Sequence, residues 1–127
     1  MKASSIPILV ILIACAGAAS QSSSSLENMT IRGWLSDESC ANARASSGKF
    51  TGTNPDCAQE CVAKGKKIVL IDPEAKQVLK IETQDSARDY IGDYVEIKGR
   101  LSSQTKMLRI DSLRMLSTGV TECERPN

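Results

Sequence analysis

From Asn28 onward, apolar and polar positions take turns along the chain. Met29, Ile31, Gly33 and Leu35 alternate with Thr30, Arg32 and Trp34, the period-2 pattern of a strand with one buried face. Gly33 inside that strand predicts a bulge or a sharp bend. Residues 36–54 are polar and rich in Ser, Gly and Asn, and read as a long loop holding Cys40. The run Asn54-Pro55-Asp56-Cys57 then carries a helix start, with Asn54 as cap and Pro55 at the first helical position, and Gly65 supplies the stop. Cys57, Ala58, Cys61 and Val62 fall on one face of this helix. Lys67–Ile71 is a continuous apolar strand, Asp72–Lys76 a turn with Pro73 pre-set, and Gln77–Glu82 the returning strand of a hairpin. Thr83–Ile91 reads as one or two helical turns ended by Gly92. Tyr94–Leu101 alternates again. In Met107–Leu116 the apolar positions shift from Leu108 and Ile110 to Leu113 and Met115, which predicts a bulge near Asp111 and Ser112.

Strand, long connection, hairpin, short helix, two strands: this order fits a mainly β fold. The architecture expected is a five-stranded OB-like Greek-key barrel with two short helices, in which a bent first strand serves both halves. The alternative is an open antiparallel α+β sheet. Gly33, Gly99 and the late bulge stand where a curled sheet needs them, which favours the barrel.

Upstream of the domain the pattern is different. Residues 1–19 join Lys2 to the apolar run Ile6–Ala14 and then small residues, as an export signal does, and the run is too short to span a bilayer. Leu12-Ile13-Ala14-Cys15 resembles a bacterial lipobox, which makes Cys15 a lipidation candidate with cleavage before it. Ordinary cleavage after Ala18 or Ala19, with Ala16-Gly17-Ala18 as the recognition site, is the other reading. Residues 20–27 are a Ser-rich linker, 28–118 the domain and 119–127 a tail whose staple is Cys123. The expected location is therefore extracytoplasmic, periplasmic or secreted, with membrane contact only through a lipid on Cys15.

Removing that signal changes the cysteine count. Of five cysteines, Cys40, Cys57, Cys61 and Cys123 remain in the mature part, an even number in an oxidising compartment. Two disulfides are one expectation. The helix cysteines would pair outward, one with Cys40 and one with Cys123, and Cys40–Cys57 with Cys61–Cys123 is the favoured arrangement. Chain entropy assigns these loops roughly 3 and roughly 4 kcal/mol. The other expectation is a thiol site: Cys40, Cys57 and Cys61 as soft-metal ligands for Cu or Zn, or as a redox pair.

Composition narrows the remaining classes. The chain has 127 residues with 16 Lys+Arg against 15 Asp+Glu, and loss of Lys2 with the signal leaves 15 against 15. A neutral domain gains nothing from polyanions, so nucleic acid is not an expected partner. Histidine is absent from the sequence, which excludes His-based triads and His-ligated metals. No catalytic set emerges, and the reading leans away from an enzyme, with no cofactor beyond the Cu or Zn alternative. Asp37-Glu38 could ligate a cation or act as a base, but acids in a polar loop are commonly solvated. Trp34 could anchor a ligand on the barrel surface or cover the core under the long loop; the second is the commoner arrangement.

Three motifs carry a resemblance. Gly33-Trp34-Leu35-Ser36-Asp37-Glu38-Ser39-Cys40, then Cys57-Ala58-Gln59-Glu60-Cys61-Val62 with Gly65, then Gly92-Asp93-Tyr94-Val95-Glu96-Ile97-Lys98-Gly99 resemble a group of uncharacterised small exported bacterial proteins of OB-like fold. The resemblance covers roughly residues 29–116. It implies an OB-like fold and a place in the cell envelope, and no activity; the absence of a catalytic set makes the expected function a disulfide-stabilised binding or structural module with an unknown ligand or protein partner. Members often carry Gly and then His after the first Cys; here Ala41 and Arg44 stand there, so a Cys/His metal pair does not carry over.

Overall fold

The computed structural model describes residues 25–119. The expected export signal with Cys15, positions 20–24 of the expected linker, and positions 120–127 of the expected tail with Cys123 lie outside the described residues. Five strands carry the fold: β1 (Leu26–Asp37), β2 (Ile68–Asp72), β3 (Gln77–Ile81), β4 (Tyr94–Ser102) and β5 (Met107–Ser117). Helices α1 (Glu38–Ser46) and α2 (Pro55–Ala63) lie between β1 and β2, and the single-turn α3 (Gln84–Ala87), with a 3-10 turn at Arg88–Tyr90, lies between β3 and β4. The protein is mainly β, and its sheet closes into a ring in the order β1-β2-β3-β5-β4. Closure excludes the open-sheet alternative for the described residues. The ring is uneven: β1 and β4 pair from Leu26 to Trp34, whereas the parallel β3–β5 seam holds only two register pairs, Lys80 with Met107 and Ile81 with Leu108.

The first strand divides its length between two partners. Its N-terminal part pairs with β4 and its C-terminal part, from Trp34, with β2. Gly33 sits just before this hand-over. A Cβ there would stand 2.2 Å from the Ile71 carbonyl oxygen, so the bend requires glycine. Gly99 meets the same constraint against the Arg109 carbonyl oxygen, at 2.1 Å. The expected bulge falls on Asp111: Lys98 pairs with Ser112 while Gly99 pairs with Ile110, leaving Asp111 unopposed. That extra residue turns Leu113 onto the face that Leu108 and Ile110 already occupy.

The alternating positions build the core. Ile31, Leu35, Leu70, Leu79, Val95, Ile97 and Leu108 are buried inside the ring, with Ala58 of α2 and Ala87 of α3 closing on it. Every residue of β2 is buried, because its outer face is covered as well. Val69 and Ile71 pack outward against Ala41 of α1, with Trp34, Phe50 and Val78 around them. Trp34 therefore covers the sheet under the long connection, stacked against Tyr94 at 4.9 Å between ring centroids.

Two expectations need correction. The stretch 36–54 is not all loop: its first half is α1, so the fold has three short α-helices where two were expected. The signal for α1 is present, with Asp37 as cap, Glu38 in the first turn and Arg44 in the last, but its apolar content is low enough for the segment to read as polar loop. The linker also ends early, since β1 begins at Leu26 and its exposed first residues pair with β4. Among the described residues no helix is long and apolar enough to cross a membrane.

Candidate functional site

The two connecting helices bring three cysteines together. Asp37 ends β1 and caps α1, its Oδ2 accepting from the backbone N–H of Ser39 at 2.9 Å and of Cys40 at 3.1 Å. This fixes Cys40 in the first turn of α1. Asn54 does the same for α2, its Oδ1 accepting from the Cys57 N–H at 3.1 Å, with Pro55 at the first position as expected. Ala58 is fully buried, which turns the same helix face, and with it Cys57 and Cys61, toward the body of the domain. The beginning of α2 is held by close stacking: Gly92, at φ +96°, has the Pro55 ring where a Cβ would go.

The result is a triangle of sulfurs. Cys40 and Cys61 are half-buried, and the Sγ atoms of Cys40, Cys57 and Cys61 all lie within 4.8 Å of one another. Cys40 Sγ and Cys57 Sγ are 3.3 Å apart, a contact rather than a bond, and the three are thiols. Three of the four candidate cysteines thus meet in one place. Cys123, the fourth, lies outside the described residues, as does the lipidation candidate Cys15.

Electrostatics favour the protonated form of two of these thiols, Cys40 and Cys61. Burial, then the Asp37 carboxylate, then the Cys57 sulfur push the Cys40 thiol far above its ordinary value. Burial raises Cys61 too, followed by the charge of Asp37. Asp37 itself is fully buried. Its Oδ1 makes no hydrogen bond of standard geometry among the described residues, although the carboxylate lies close enough to Cys40 to hold that proton. Asp37 was expected in solvent and is instead inside the site. The clue was its place at the end of an apolar strand and directly ahead of a helix.

The spacing suits a thiophilic cation. Zinc–thiolate bonds of about 2.3 Å in tetrahedral geometry set sulfurs about 3.8 Å apart, a value between the shortest contact of 3.3 Å and the 4.8 Å limit. A disulfide requires about 2.05 Å. The absence of histidine leaves sulfur and carboxylate as the donors available nearby, a set that favours Cu(I) and Zn(II) over hard cations. Elsewhere, a surface pocket near 430 Å³ lies between the starts of β2 and β5 and the end of β3, lined by Lys67, Lys80, Glu38 and Glu82 among others. Its charges balance and give it no evident ligand preference. Comparison with family models, curated proteins and solved structures finds no match.

Proposed function

We propose that this chain is an exported OB-like module that holds a soft cation, Cu(I) or Zn(II), through Cys40, Cys57 and Cys61. The observation that carries the reading is the three-sulfur triangle, assembled from two separately capped helices. The OB-like assignment is supported by the strand order β1-β2-β3-β5-β4, by the first strand shared between partners, and by the helix between β3 and β4. The resemblance to small exported bacterial proteins supports the location, and the neutral charge argues against nucleic acid as partner. No chemistry at a substrate is assigned.

Protection from alkylation tests the proposal. The reduced, mature chain is titrated with Zn(II) or Cu(I) under anaerobic conditions and labelled with a maleimide. One equivalent of cation should shield Cys40, Cys57 and Cys61 together. Unchanged labelling of all three at saturating cation contradicts the proposal.

A second reading rests on a specific distance. Cys40 Sγ and Cys57 Sγ at 3.3 Å are one small side-chain rotation from bonding, and on this reading the domain is purely structural, stapled by that disulfide. Closing the 17-residue separation between them would add about 3 kcal/mol by chain entropy. Counting free thiols on unreduced protein separates the two.

A further inference from the structure

We infer that the sulfur triangle has a second chemistry: Cys40 and Cys57 form a two-electron dithiol–disulfide couple whose oxidation by a small-molecule disulfide dismantles the cation site. The release half of this inference rests on the cation reading above; the couple itself does not.

Geometry selects the pair. Cys57 and Cys61 lie four apart on α2, where Cβ atoms stand about 5–6 Å apart. A disulfide needs its Cβ atoms at about 3.5–4.5 Å. Side chains on one helix lean the same way, toward its N-terminus, and do not converge. A Cys57–Cys61 bond would therefore break the first turns of α2, which Ala58 and Pro55 pin into the structure. Cys40 comes from a different helix and faces Cys57 across 3.3 Å, so side-chain rotation alone can close the gap. Cys61 is left as the one remaining thiol of the triangle, and one thiolate does not retain a cation that three held.

The step balances without an absent partner once the oxidant is named. The first thiolate of the pair attacks one sulfur of oxidised glutathione. The glutathione S–S bond breaks, and one glutathione thiolate leaves and takes a proton from water. The second protein sulfur attacks the protein side of the mixed disulfide. The Cys40–Cys57 bond forms, the bonds of these two sulfurs to the cation break, and the second glutathione leaves as a thiolate that takes a proton from water. Two protein thiols are oxidised, and one disulfide is reduced to two thiols.

The test uses the full mature chain, reduced and loaded with Zn(II), then treated with oxidised glutathione. Free zinc is read with a chromophoric chelator, and linkage by non-reducing peptide mapping. The expected result is one zinc released per Cys40–Cys57 bond, at matching rates. Cys61→Ser should lose zinc affinity by tenfold or more, yet with both proteins zinc-free form the same bond at a rate within about twofold of the parent. Cys40→Ser should stop at the glutathione mixed disulfide. A Cys57–Cys61 or Cys57–Cys123 linkage as the main product overturns the inference, and so does a Cys40–Cys57 bond formed with zinc retained. A reduced protein that takes up no zinc defeats the cation reading, while the same digests still decide whether the couple exists.

Discussion

Asp37 is the residue on which the site turns. It spends one oxygen on the helix cap and places the other, unpaired, beside Cys40. Asp37→Asn keeps a capping oxygen and removes the charge. Cys40 in the reduced protein should then react faster with iodoacetamide at pH 8, whereas Asp37→Ala should also cost about 1 kcal/mol of stability through the lost cap. Quantified peptide labelling and chemical denaturation read the two effects separately; no change in the Cys40 rate on charge removal would show that Asp37 does not hold the thiol proton. Glu96 offers a second single-residue prediction. It lies across the register from Arg32 and Arg114, accepting from each at 2.9 Å. Those hydrogen bonds, Arg114 first, lower its pKa from the ordinary 4.5. A carboxylate depressed in the folded state stabilises the fold above its unfolded value and loses that contribution as pH falls through the folded value. Glu96→Gln should therefore destabilise the protein at pH 7, with the deficit shrinking below about pH 4.5; a deficit constant from pH 7 to pH 3 speaks against it.

Elements show where sequence patterns inform and where they stop. The strands were legible because alternation is forced wherever one face is buried, and the Asp111 bulge was legible because it inverts that alternation. The Cys57 helix was legible from Asn54, Pro55 and Gly65. The helix α1 was not, since it buries only Ala41 and so leaves no apolar periodicity to read. With α1 hidden, the meeting of Cys40 with the two helix cysteines was open to the sequence only as an alternative. Gln84 was invisible for a related reason. Its side-chain amide accepts from Ile68 N–H at 2.8 Å and donates to the carbonyls of Ile68 at 2.9 Å and Ile81 at 2.7 Å, bridging β2 and β3 just beyond their last register pair, Val69 with Lys80. Nothing in its local sequence announces that role. Gln84→Ala should strand the buried Ile68 groups at about 1–3 kcal/mol each, visible as a lower denaturation midpoint and faster amide exchange at Ile68. Gly92→Ala should be worse than a surface change on α2, since φ +96° and the Pro55 ring both exclude a side chain.

At the scale of the molecule, the closed sheet and the paired helices have separate duties. The ring interior, from Ile31 to Ile110, supplies the stability, and Leu79→Ala at its centre should cost about 2–5 kcal/mol while leaving the sulfurs in place. The long connection between β1 and β2 folds back over the outer face of β2 and carries the sulfur triangle. Cys57→Ser should behave in the opposite way, leaving the reduced fold near its original stability and weakening cation binding by tenfold or more. The whole proposal stands on the claim that Cys40, Cys57 and Cys61 ligate one ion together. X-ray absorption at the zinc edge of the zinc-loaded, reduced protein measures that directly. Three sulfur neighbours at about 2.3 Å, falling to two in the Cys57→Ser protein, is the result expected; a zinc surrounded by oxygen alone, or a sulfur count unchanged by that substitution, contradicts it.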